Sequence, residues 1–121
     1  MTKRILVVED QEDNRRILRD LLTSVGYDII EAINGEEGVT MAERHRPDLI
    51  LMDIQLPGLD GYEATRRIKA NPMLRQIPII AVTSYALSGD DVKAFDAGCD
   101  GYVSKPFSPR ALLAKIREFL P

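Results

Sequence analysis

The sequence predicts an α/β fold: a doubly wound (βα)5 chain with a parallel five-stranded sheet of order 2-1-3-4-5 and helices on both faces. Three observations carry this. Short β-branched runs alternate five times with stretches of helical period along 121 residues. The first, third and fourth runs are apolar throughout, as central parallel strands must be. The second and fifth carry Asp28, Glu31 and Ser104, which suits sheet edges. With right-handed crossovers, the order 2-1-3-4-5 puts those polar strands outside.

Each element follows in turn. Ile5-Leu6-Val7-Val8 is a strand ending in acid. Ile17, Leu18, Leu21, Leu22 and Val25 recur at helical spacing, and Gly26 ends that helix. Tyr27–Ala32 reads as the second strand. Asn34-Gly35 signals a turn, and the helical text after it argues against a hairpin. Val39, Met41 and Ala42 belong to a second helix closed by Pro47, and Asp48–Asp53 is the third strand. Pro57-Gly58 turns the chain into a helix over Gly61–Ala70. Ile77–Thr83 is the fourth strand, followed by a weaker helix over Ser88–Ala97 that Gly98 ends. Gly101–Ser104 is a short fifth strand. Ser108 as N-cap and Pro109 as first helical residue open the last helix, whose stripe is Ala111, Leu112, Ile116, Phe119 and Leu120.

Composition narrows the function. Sixteen basic against nineteen acidic residues leave a net charge of −3, without the basic footprint of a nucleic-acid binder. One cysteine, Cys99, excludes an intrachain disulfide and a cysteine zinc site. No apolar run approaches a membrane span, and the run after the basic Met1–Arg4 stops at Glu9-Asp10, too soon for a secretory signal. A cytoplasmic protein is expected, of one domain over 1–121 with no output domain.

Open α/β sheets carry their sites at the carboxyl ends of the strands, beside the topological switch point. Strand one ends in Glu9-Asp10, strand three in Asp53, strand four in Thr83-Ser84 and strand five in Lys105-Pro106. Three carboxylates therefore converge, flanked by a hydroxyl and an ammonium. Two like charges ~5 Å apart at an effective dielectric of ~20 repel by about 3 kcal/mol. Lys105 alone cannot balance three of them, and a hard divalent ion with oxygen ligands, Mg²⁺, is the natural relief. An aspartate oxygen could then attack a phosphoryl group. Mg²⁺, Lys105, and the Thr83 hydroxyl with the N–H near Ser84 would each take one phosphoryl oxygen.

These residues resemble a response-regulator receiver domain over essentially the full chain. The matching text is Val8-Glu9-Asp10, then Asp48-Leu49-Ile50-Leu51-Met52-Asp53 running on through Ile54-Gln55-Leu56-Pro57-Gly58-Leu59-Asp60-Gly61. Ile79–Ser84 and Gly101-Tyr102-Val103-Ser104-Lys105-Pro106-Phe107 complete it. The text is most similar to single-domain cell-cycle regulators of the DivK type. The resemblance implies a CheY-like fold and a role in two-component phosphorelay signalling. It implies that Asp53 accepts phosphate from a phosphohistidine on a sensor kinase or histidine phosphotransfer protein. It implies Mg²⁺, with Mn²⁺ as a substitute, on Asp10, Asp53 and the Gln55 carbonyl, with Glu9 acting through water. Lys105 pairs with the phosphate, its bond to Pro106 being usually cis in the family. Thr83 and Tyr102 form the switch pair that remodels the face of helix four, strand five and helix five for a downstream effector. Gln55 and Tyr85 flank the path of a hydrolytic water. The donor's helical bundle is expected to touch Asn14, Arg15, Pro106 and Phe107. Such a protein is not an enzyme beyond catalysing its own phosphorylation and slow dephosphorylation, and a monomer is expected.

Other readings fare less well. A flavin module needs a phosphate cradle where Glu9-Asp10-Gln11-Glu12-Asp13 would repel one. An aspartyl phosphatase usually has a second acid two residues past its nucleophile, where this chain has Gln55, or a cap region. A P-loop NTPase lacks its Gly-rich loop here. Taken singly, Glu9 and Asp10 could cap a helix, Asp53 could end a strand, and Lys105 and Thr83 could be ordinary surface groups. Their joint placement around one crevice favours function. His45 sits in a helix's last turn, Cys99 reads as packing, and Arg66-Arg67 as a solvated face. Asn14 either orients the acidic loop or caps the helix.

Overall fold

The computed structural model describes residues 2–83 and 90–121. The elements run β1 (Arg4–Val8), α1 (Glu12–Ser24), β2 (Asp28–Ala32), α2 (Gly35–His45), β3 (Leu49–Asp53), α3 (Gly61–Ala70), β4 (Ile79–Thr83), α4 (Asp90–Ala97), β5 (Gly101–Ser104) and α5 (Pro109–Phe119). The five strands pair in parallel in the order β2-β1-β3-β4-β5, as the polar edge strands predict. Ser84, Tyr85 and Ser88, named in the sequence reading, lie outside the described residues.

Strand alternation sorts the core into two layers. Ile5, Val7, Leu49, Leu51, Ile80 and Val82 pack with Leu18 and Leu22 of α1 and Leu112 and Ile116 of α5. Leu6, Val8, Ile50, Met52, Ile79 and Ala81 pack with Ala42 of α2, Ala64 and Ile68 of α3, and Ala94 of α4. β3 and β4 are buried along their whole length and β1 from Ile5 onward, which explains their nearly continuous apolar text.

Local chemistry sets the boundaries. Gly26, at φ 95°, closes α1 with Gly26 N–H donating to Thr23 and Tyr27 N–H reaching back to Leu22. Tyr27 is thereby committed to the helix end, so β2 begins at Asp28 instead. Asn34 caps α2 by accepting from Glu37 N–H at 2.8 Å, which is why Asn-Gly here opens a helix and no hairpin. Pro78 has no N–H for a ladder, and Ile77 N–H turns back to Leu74, so β4 begins at Ile79. Ser108 caps α5 through Ala111 N–H at 3.0 Å, with Pro109 in the first turn.

Candidate functional site

At the carboxyl ends of β1 and β3, oxygens of Glu9, Asp10 and Asp53 all lie within 4.8 Å of one another. Among the described residues this is the one group of three such side chains placed to hold a metal ion. Glu9 and Asp53 are buried, and Asp10 is half-buried. Lys105, at the end of β5, reaches across to Glu9 Oε1 at 2.8 Å and stands 3.6 Å from Asp53 Oδ2. The capping reading of Glu9 is also visible: its Oε2 accepts from Gln11 N–H at the start of α1, at 3.1 Å. Likewise Asp53 Oδ1 accepts from Gln55 N–H at 3.0 Å, shaping the loop that follows β3. The same carboxylates thus shape their loops and face each other.

Electrostatics separates the two buried acids. Burial pushes Glu9 up, but the Lys105 hydrogen bond and the Gln11 N–H outweigh it and hold the carboxyl below its usual value. Asp53 is pushed up to about 7, first by burial and then by the charge of Glu9, against the pull of Gln55 N–H and Lys105. One ammonium has been taken largely by one acid, leaving the other short of positive charge.

The remaining expected residues are distributed around this nest. Thr83 is buried at the end of β4, and its carbonyl accepts from Lys105 N–H at 2.6 Å. By alternation Thr83 shares a sheet face with Ala81, and Tyr102 stands opposite Ala81, half-buried against the layer that contains Ala94. The Lys105–Pro106 bond is cis. Asn14, Pro106 and Phe107 line an open groove with Glu9, Ile17, Leu18 and Lys105, of about 450 Å³. Arg15 is engaged elsewhere. Its side chain is only 14% exposed, and its guanidinium bonds the carbonyls of Glu9 and Asp10.

Sequence reasoning missed two supports of the site. Gly61 opens α3 against the strand end: a Cβ there would lie 2.2 Å from the Asp53 carbonyl oxygen. A glycine at a helix's first position, where no left-handed backbone is required, was the available signal. Glu31 was read only as an edge-strand polar residue. It faces α1 and meets both Arg15 and Arg19, whose i, i+4 spacing was the clue.

The chain is similar to known proteins along nearly its whole length. The response regulator receiver domain model matches residues 5–117. The polar-differentiation response regulator DivK of Brucella anthropi is 45% identical over 120 residues, covering 99% of this chain and 98% of that protein. The receiver domain of a sensor histidine kinase from Pseudomonas aeruginosa, with a magnesium ion coordinated in its active-site cleft, superposes with a TM-score of 0.92. It is 41% identical over 99% of this chain and 98% of its own. A CheY-like response regulator receiver domain protein from Methanospirillum hungatei superposes with a TM-score of 0.89 at 36% identity, over 98% of this chain and 93% of that one. With its acidic crevice at the sheet's switch point and these likenesses along nearly its whole length, the chain belongs to the response-regulator receiver family of two-component signalling.

Proposed function

We propose that this receiver is a phosphoryl-accepting switch in which Asp53 takes the phosphoryl group from a phosphohistidine partner. The observation that carries the reading is the crowding of Glu9, Asp10 and Asp53 around one lysine at the switch point of the sheet. The donor set is all oxygen, the preference of a hard cation, and its three carboxylates carry more charge than Lys105 offsets, so the residues fit Mg²⁺. Asp10, Asp53 and the Gln55 carbonyl would hold it directly and Glu9 through water; Mn²⁺ would serve in its place. When bound, Mg²⁺ supplies positive charge to the phosphoryl oxygens and relieves the repulsion on Asp53.

In the transfer, an Asp53 carboxylate oxygen forms the bond to phosphorus as the partner's N–P bond breaks. The imidazole leaves with that electron pair, neutral because its other nitrogen carries a proton. Lys105 exchanges part of its contact with Glu9 for a phosphoryl oxygen, and the Thr83 hydroxyl takes another. Drawing Thr83 toward the site lets Tyr102, on the same sheet face, turn inward and alter the surface of α4, β5 and α5 for an effector. The polar tip of Tyr102 keeps that rotation inexpensive. The donor's helical bundle seats on the groove formed by Asn14, Ile17, Pro106 and Phe107. The likeness to polar-differentiation regulators supports a cytoplasmic role in cell-cycle control.

Incubation with a small acyl-phosphate donor and Mg²⁺, followed by mass mapping, tests the reading. One phosphoryl group is expected on Asp53, absent from Asp53→Asn and from a metal-free reaction. No uptake, or uptake mapped to another residue, would overturn it.

A further inference from the structure

Arg15 makes a set of contacts that acceptance of a phosphoryl group does not by itself require. Its Nη1 donates to the carbonyl oxygens of both Glu9 and Asp10, at 2.9 and 3.1 Å. Its Nε lies 3.4 Å from Glu31 Oε1 on β2. The other Glu31 oxygen stands 3.1 Å from Arg19 Nε, a buried nitrogen whose contact is Coulombic, since it makes no hydrogen bond. Glu31 itself is anchored in the sheet opposite Val7.

We infer that Arg15 is a positioning residue for the metal site, holding the Glu9-Asp10 loop so that its two carboxylates stand ready for Mg²⁺, with Glu31 as the brace that aims the guanidinium. This rests on the Mg²⁺ reading above. The two carbonyls precede α1, whose first backbone bond runs from Arg15 N–H to Gln11, so the helix offers them no donor. In a part-buried place they need one. One nitrogen of a rigid planar guanidinium, its Nε turned to Glu31, engages both successive carbonyls; this fixes the backbone turn at both residues, and with it the directions in which their side chains leave the chain. A lysine ammonium can donate to two carbonyls, but it has no second nitrogen for Glu31 to aim, so it holds the loop less rigidly.

The competing account treats Arg15 as a nearby positive charge that merely dilutes acidic repulsion. The two accounts predict opposite signs. Removing a cation beside a cation site tightens metal binding; removing a clamp on the ligand loop weakens it.

The test is calorimetric titration of the folded protein with MgCl₂, paired with denaturant unfolding of the metal-free variants. Arg15→Met should bind Mg²⁺ about tenfold more weakly, Arg15→Lys only partly restoring affinity although the charge is back, and Glu31→Gln about threefold more weakly. A purely structural role would lower metal-free stability and leave the Mg²⁺ affinity of the folded protein unchanged. Unchanged or tighter binding by Arg15→Met overturns the inference while the Mg²⁺ site stands. If that variant does not fold, Glu31→Gln decides alone: weaker binding sustains the inference and wild-type affinity overturns it. Failure of the wild type to bind Mg²⁺ overturns both this inference and the proposed function.

Discussion

Two lysines in this protein have nearly equal exposure, their side chains being 17% and 19% accessible at Lys69 and Lys105. Each holds a carboxylate oxygen, Lys69 at 2.9 Å from Asp100 and Lys105 at 2.8 Å from Glu9. Their surroundings differ. Lys69 Nζ also donates to the carbonyls of Arg75 and Ile77, so its three protons meet three acceptors. Asp100 in turn accepts from Ile79 N–H at the start of β4. The charges are balanced one to one, and the joint ties α3, the loop before β4 and the turn before β5 together. Lys105 instead faces a second carboxylate 3.6 Å away and a third within the same cluster. A saturated ion pair holds the fold; an under-neutralised one keeps a demand for charge that a ligand can meet.

The largest effect expected from breaking this contrast is at the saturated joint. Lys69→Met takes the donor from two carbonyls and leaves Asp100 with Ile79 N–H alone, and should lower unfolding free energy by about 3 kcal/mol in denaturant titrations. Phosphoryl uptake by the folded fraction should be unchanged.

A somewhat smaller effect tests the unsatisfied nest. The Asp53 carboxyl, raised to about 7, binds its proton more tightly in the folded protein than in the unfolded chain. Above the ordinary aspartate range the folded state therefore holds more protons, and metal-free stability falls as pH rises toward that value. The decline should amount to about 2 kcal/mol between about pH 5 and about pH 8, in unfolding curves taken across that range. It should vanish in Asp53→Asn and shrink with Mg²⁺ present.

The smallest effect sharpens the comparison locally. Cys99 is buried beside Thr65 Oγ1 at 3.7 Å, next in chain to Asp100, and burial pushes its thiol up to about 11. A thiol reagent near neutral pH then reaches it only through local opening. Labelling should accelerate about fivefold in Lys69→Met and change less than about twofold in Asp53→Asn, because the two regions open separately. Equal acceleration in both variants would dissolve the distinction between them.

Much of this could be read from residue order. Helix caps such as Ser108 and stops such as Gly26 act through their own backbone neighbours, so their chemistry is written in adjacent letters. The α3 span of Gly61–Ala70 and the β5 span of Gly101–Ser104 follow directly from such signals. Strand polarity revealed the edges, and the edges revealed the order. Given that order, Glu9, Asp10, Asp53 and Lys105 had to meet, because parallel strands deliver their carboxyl ends to one side of the sheet.

Partnership was a different matter. Glu9 and Lys105 are both candidates in the text, yet only the folded distances show the lysine leaning on Glu9 and leaving Asp53 with the raised affinity for a proton. Arg15 reads in the sequence only as a partner contact, and the bonds of its guanidinium to the loop it follows are visible only in the fold. Local periodicity and strand polarity act over a few residues and survive in the sequence alone. Which of several like charges a cation chooses depends on burial and on distances of an ångström between segments far apart in the chain, and these exist only once the sheet has assembled.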